Sequence, residues 1–162
     1  NLHALPLGLG NKFSDVSLNS KDFKDFYNSY ENNIQENKIY SNFRTNTNPV
    51  REQYLKHLKE NKNFVHEESK LNKYAYLKKI STYKYVFSPR GLGIDTHRFW
   101  EILYAGCIPV AKNELTYKNF SKYYQEFTKI TSINMDVFKV VNFDDSLVDI
   151  LNIDYWIEKI GW

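Results

Sequence analysis

The chain has 162 residues, 22 Lys+Arg against 19 Asp+Glu, four His and one Cys. That length fits about one domain of the usual ~100–200 residues, and the 3 Trp, 13 Tyr and 11 Phe give it ample surface to bury, which excludes a disordered chain. No apolar run approaches the ~18 residues of a membrane span, no segment has a signal-peptide pattern, and one Cys excludes an intramolecular disulfide or a Cys-rich zinc site.

The net charge of +3 is a weak signal for nucleic acid, and no nucleic-acid partner is expected. The 18 Lys are scattered among acids, as on a solvated surface. The four Arg (Arg44, Arg51, Arg90 and Arg98) all fall between residues 44 and 98. Arg binds phosphate and carboxylate as a rigid fork, where Lys is a point charge. The clustering marks a site or arises by chance; composition alone leaves both open.

In chain order, residues 1–12 carry two of the six Gly, one Pro and no sustained period, and read as a linker or entry loop before a single domain over 13–162. Over 19–37 the spacing of Phe23, Phe26, Tyr27 and Tyr30 predicts an amphipathic helix. KIYSNF (38–43) reads as a strand. Asn48 and Pro49 open a helix to about Glu60, with Asn48 as N-cap and Val50, Tyr54, Leu55 and Leu58 as its apolar stripe. NFVHE (63–67) is a second strand, and Asn72 caps a helix over 73–82 with Tyr74, Leu77 and Ile80 inward. YKYVFSP (83–89) is a third strand, Thr96–Ala105 a helix stopped by Gly106, and CIPVA (107–111) a fourth strand. Residues 116–128 read as helix, 137–143 as a fifth strand, and the tail as one or two short helices. Strands alternating with helices predict an α/β, Rossmann-like parallel sheet flanked by helices. Ligands of such sheets bind beyond the carboxyl ends of the strands, so the segments after residues 43, 67, 89 and 111 are candidate site walls.

Residues 88–101 are the densest in chemistry. Gly91 and Gly93 let the backbone turn tightly and let a ligand approach. The helix that follows offers free N–H groups and the positive end of its dipole, a place for a diphosphate to which Arg90 and Arg98 add charge-assisted bonds. The GKS/T ending of a Walker loop is missing, and Thr96 stands where GxGxxG has its third Gly. His97, Arg98 and Glu101 share one polar helix face, with Phe99, Trp100, Ile102 and Leu103 on the other. From that placement Glu101 either accepts both hydroxyls of a ribose or forms a surface ion pair with Arg98 or His97.

The stretch YVFSPRGLGIDTHRFWEILYAGCIPVAKN resembles the C-terminal, nucleotide-sugar-binding domain of exostosin-like glycosyltransferases of the GT-B fold. The family pattern is a strand, S-P-x-G-x-G, a D-x-x-R or S-x-R step, W/L-E and G-C-I-P-V. Ser88, Pro89, Gly91, Gly93, Asp95, Thr96, His97, Arg98, Trp100, Glu101 and Gly106 to Val110 match it. KIYSNFRTNTNPVR (38–51) is loosely similar to the first strand and loop of that domain, and LHALPLGLGN to the linker between the two halves of such enzymes. A distant likeness to α1,3-fucosyltransferases leaves the donor open between UDP- and GDP-sugars.

The resemblance implies a donor-binding domain, the C-terminal half of a GT-B enzyme, transferring a sugar to a glycan or other acceptor supplied with an N-terminal half. Glu101 would hold the ribose. Gly91, Gly93 and Thr96–Arg98 would cradle the diphosphate within a donor segment that includes Ser88 and Asp95, and Arg90, Arg98 and Arg44 would offset its charge. GT-B enzymes usually need no metal, so none is expected, and a cytoplasmic protein of bacterial or viral type is implied. Asp144 and Asp145 read as a helix cap. No residue is a secure catalytic base. His97 reads as a phosphate contact or cap, His66 lies in the right region, and His3 and His57 read as surface. Arg51, in the first turn of its helix, is a weak phosphate candidate. Cys107, Tyr40, Phe87 and Trp100 read as core. The rival functions are a non-catalytic nucleotide or glycan module of the same fold, and an unrelated Rossmann-like domain that binds protein or nucleic acid.

Overall fold

A computed structural model describes residues 9–10, 17–29, 36–68, 70–93, 96–112, 127–128 and 138–141. Along the chain come α1 (Ser20–Ser29), β1 (Glu36–Ser41), a 3-10 turn (Thr45–Thr47), α2 (Val50–Lys59), β2 (Phe64–His66), α3 (Lys73–Ile80), β3 (Tyr83–Phe87), α4 (His97–Tyr104), β4 (Ile108–Lys112), β5 (Phe127–Thr128) and β6 (Phe138–Val141). The strands form one sheet in the order β2-β1-β3-β4-β6-β5. From β2 to β4 every pairing is parallel, which makes this an α/β, Rossmann-like fold. The strand expected over 137–143 is present at Phe138–Val141, but it runs antiparallel to β4, as β5 does to β6. Phe127–Thr128, the end of the helix expected over 116–128, are strand instead. The rest of that helix, the tail helices and most of the entry loop lie outside the described residues. No described helix is long and apolar enough to cross a membrane.

Local signals set the helix ends. The Asn72 side chain accepts from the Ala75 N–H and caps α3. Before α2, Asn48 is extended and its Oδ1 accepts from Val50 N at 3.1 Å, while Pro49 already has a helical φ of −54°. After α4, Gly106 takes φ +71°, the left-handed turn a glycine makes without a Cβ penalty.

Side chains alternate across the strands. Ile39 of β1 joins Phe43, Tyr54, Leu58, Phe87 and Val110 on the α2 side. Its neighbour Tyr40 joins Phe23 and Phe26 of α1, Leu77 and Ile80 of α3, and Ile102 of α4 on the other. Each such side chain, fully buried, contributes about 1.5–3 kcal/mol. Tyr40, Phe87, Trp100 and Cys107 are all core, as expected. Two inward assignments need correction. Tyr74 is 57% exposed and Tyr76 takes the inward place on α3, while Tyr27 is exposed and donates its hydroxyl to the Tyr104 carbonyl. Tyr30 lies outside the described residues.

Candidate functional site

After β1 the chain moves outward to β2, then crosses back to lay β3 on the other side of β1. The carboxyl ends of β1 and β3 therefore flank a topological switch point, where doubly wound sheets bind ligands. A cavity of about 810 Å³ opens there, within the size of ordinary ligand sites. Three walls meet in it. Asn42, Phe43 and Arg44 come from the loop after β1, Lys70 to Tyr74 from the turn into α3, and Arg98 with Glu101 from the start of α4. Leu18, just before α1, adds a fourth.

The walls carry five basic side chains (Arg44, Arg51, Lys70, Lys73 and Arg98) against two acidic ones, Glu68 and Glu101. The exposed Glu68 pairs with Lys59 at 2.8 Å, and that contact holds its carboxyl below the ordinary value. Glu101 is only 5% exposed, and its Oε1 accepts from the Leu18 N–H at 2.9 Å. Burial raises the Glu101 carboxyl above the ordinary range, against the pull of Arg98, the Leu18 N–H, His97 and Lys73. The surface ion pair is thereby excluded: Phe99, Trp100, Ile102 and Leu103 are buried together with Glu101, so α4 is enclosed on both faces.

Arg98 reaches across to the β1 end. Its Nη1 donates to the Asn42 carbonyl, and its guanidinium lies 4.9 Å from the Tyr76 ring centre. Arg44, in the same loop after β1 as Asn42, is exposed. The Tyr76 hydroxyl is buried with no hydrogen-bond partner among the described residues, and burial raises its pKa.

Arg51, the weak phosphate candidate, spends three of its five N–H donors on main-chain carbonyls. It is 8% exposed, and it donates from Nε to the Arg90 carbonyl at 2.7 Å, from Nη1 to the Arg44 carbonyl at 2.9 Å and from Nη2 to the Pro89 carbonyl at 3.3 Å. Its three nitrogens staple the loop after β1 to the loop after β3. Burial lowers its pKa to about 10, helped by Arg98. Asn48 Nδ2 adds a fourth link, donating to the Gly91 carbonyl at 2.8 Å.

The structure brings Arg44, Arg98 and Glu101 together in the cavity wall. Ser88, Arg90, Gly91, Gly93, Thr96 and His97 belong to the loop and helix start behind it and are not among the described lining residues. Ser88 is buried and its Oγ lies 3.3 Å from Thr96 Oγ1, which ties the strand end to the start of α4. Gly91 does not have a left-handed φ, and a Cβ there would meet Thr96 Cγ2 at an ordinary 3.4 Å, so the tight turn expected of it is not required by its backbone. Asp95, Asp144, Asp145 and His3 lie outside the described residues. His66 turns away to share a hydrogen bond with Ser41 Oγ at 2.8 Å, and burial lowers its pKa. Burial raises the Cys107 thiol to about 12. Among the described residues no three His, Cys, Asp or Glu side chains converge to hold a metal ion.

Lys70, Lys73 and Tyr74 are wall residues that no motif singles out. The only signal that reaches them is the carboxyl-end rule, which marks the segment after residue 67. In comparison with known proteins, no family model matches the chain and no curated protein matches it.

Proposed function

We propose that this chain is the donor-binding domain of a metal-independent glycosyltransferase that uses a UDP- or GDP-sugar. The observation that carries the reading is the meeting of Arg44, Arg98 and Glu101 in one cationic cavity at the switch point. They come from the loop after β1 and the first turns of α4, and the resemblance names the two Arg for the diphosphate and Glu101 for the ribose of one ligand. Glycosyl transfer breaks the bond at the anomeric carbon with oxocarbenium character, and negative charge grows on the departing diphosphate. Fixed cations that meet that charge lower the barrier. In this reading Arg44 and Arg98 face the diphosphate and Glu101 receives the ribose. The loop over 88–93 acts indirectly, setting the angle of α4 through the Arg51 and Asn48 links. The acceptor and the general base belong to a partner half.

Calorimetric titration with UDP, GDP and their sugars tests this. Absence of binding at millimolar concentration removes the reading. Arg44 is exposed, so Arg44→Ala should leave stability unchanged and weaken nucleotide binding by about 1.5–3 kcal/mol, the size of a hydrogen bond to a charged group. Unchanged affinity would remove Arg44 from the diphosphate site. Joined to an acceptor-binding half, the chain should transfer sugar, and Arg98→Ala should abolish most of that turnover.

A further inference from the structure

The cavity wall at the turn into α3 is built by Lys70, Asn72, Lys73 and Tyr74, and neither the motif nor the resemblance gives these residues a role in the site. Tyr74 stands out. A tyrosine ring on a helix in a doubly wound fold is ordinarily packed, yet this one is 57% exposed while lining the cavity. It is also anchored, because its ring sits edge-on against Phe26, with centroids 6.0 Å apart and planes at 66°, and Phe26 is 1% exposed. A held ring with most of its surface open, at the rim of a cationic cavity, is a stacking platform. Next to it, Asn72 spends its Oδ1 on the Ala75 N–H, which leaves its amide group to donate outward. Lys73 is turned aside to Asp22 at 3.4 Å.

Resting on the donor reading above, we infer that Tyr74 is the platform on which the nucleobase stacks. The base lies at the α3 end, the ribose at Glu101 and the diphosphate between Arg98 and Arg44. The cavity thus joins the Arg side chains that meet phosphate to an aromatic rim that reads the base, with Lys70 and Lys73 beside that rim. Stacking accepts any base, so choice between uracil and guanine falls to hydrogen bonds at its edge, where the Asn72 amide is the nearest donor.

The test compares two probes, nucleoside diphosphate (UDP and GDP) and inorganic pyrophosphate, on the unaltered chain, Tyr74→Ala and Tyr74→Phe. Stacking on an aromatic ring predicts that Tyr74→Ala weakens the nucleotide by roughly tenfold or more and leaves pyrophosphate unchanged, while Tyr74→Phe keeps both. An unchanged melting temperature in Tyr74→Ala is expected from its exposure and separates lost contact from lost fold. Equal weakening of nucleotide and pyrophosphate, or no weakening of a nucleotide that the unaltered chain does bind, overturns the platform and leaves the donor reading standing. Failure of the unaltered chain to bind either nucleotide overturns both.

Discussion

Arg51 donates from Nε to the carbonyl of Arg90 across 2.7 Å, so one arginine of the chain holds the backbone of another. With its bonds to the Arg44 and Pro89 carbonyls, this makes Arg51 the staple of the switch point. Removing a charged donor from buried carbonyls costs about 1.5–3 kcal/mol for a single bond. Arg51→Ala should therefore lower unfolding free energy by about 3 kcal/mol or more in a denaturant titration. Arg51→Lys should recover only part of it, because an ammonium cannot reproduce the planar fork. A loss below about 0.5 kcal/mol, the range of surface substitutions, would show that the loops hold without it.

Glu101 predicts a pH dependence. Burial raises its carboxyl in the folded chain, so the folded state holds this proton more tightly than the unfolded state does. The proton's contribution is present at acid pH. It is lost as pH rises through the ordinary carboxylate value and on to the raised one. Gln keeps the volume and an oxygen for the Leu18 N–H but does not titrate. The stability of Glu101→Gln relative to the unaltered chain should therefore rise from pH 4 towards neutral and then level off. Chemical denaturation at several pH values measures this; a flat difference would mean that Glu101 is not desolvated.

Two buried tyrosine hydroxyls should respond oppositely to the loss of one oxygen. Tyr40 donates to Glu67 Oε2 at 2.8 Å, while the Tyr76 hydroxyl is buried with no partner among the described residues. Tyr40→Phe should cost about 1.5–3 kcal/mol, the worth of a hydrogen bond to a charged group, and Tyr76→Phe should be neutral or stabilising because an unmet buried group is removed. Thermal melts of the two variants check the contrast, and a larger loss in Tyr76→Phe would contradict it.

Cys107 should be silent to thiol reagents in the native state. It is 1% exposed, and burial raises its thiol to about 12, so little thiolate exists near neutral pH. As the one cysteine of the chain it should label only through opening of the fold, at a rate that falls as stability rises. Rapid labelling of the native protein would place it in a mobile part of the sheet.

The elements with local signals were legible in the sequence: Asn72 as cap, Gly106 as stop and the strand–helix alternation all act within a few residues. What depended on distant partners was not. Tyr74 and Tyr76 both border Leu77 on a helical wheel, and the period cannot say which turns inward; the Arg98 guanidinium over the Tyr76 ring takes part in that choice. Arg51 was legible as a cation needing an acceptor in an awkward place, but main-chain carbonyls of two other loops carry no sequence mark. Glu101 was legible on the polar face of its helix, but its burial was not, because the segment that covers it precedes it by 83 residues.

That last bond has a consequence for assembly. Leu18 and Glu101 join across 83 residues, and between them lie β1, β2 and β3 with their helices. Closing so long a loop is entropically slow, and it is rewarded only once the intervening sheet has formed. The wall that Leu18 adds to the cavity is therefore expected to close after those strands have paired. A chain begun after Leu18 should still build the parallel strands, yet it would lack one wall and leave the Glu101 carboxylate without its amide. Ligand affinity should then be lost well before the sheet is.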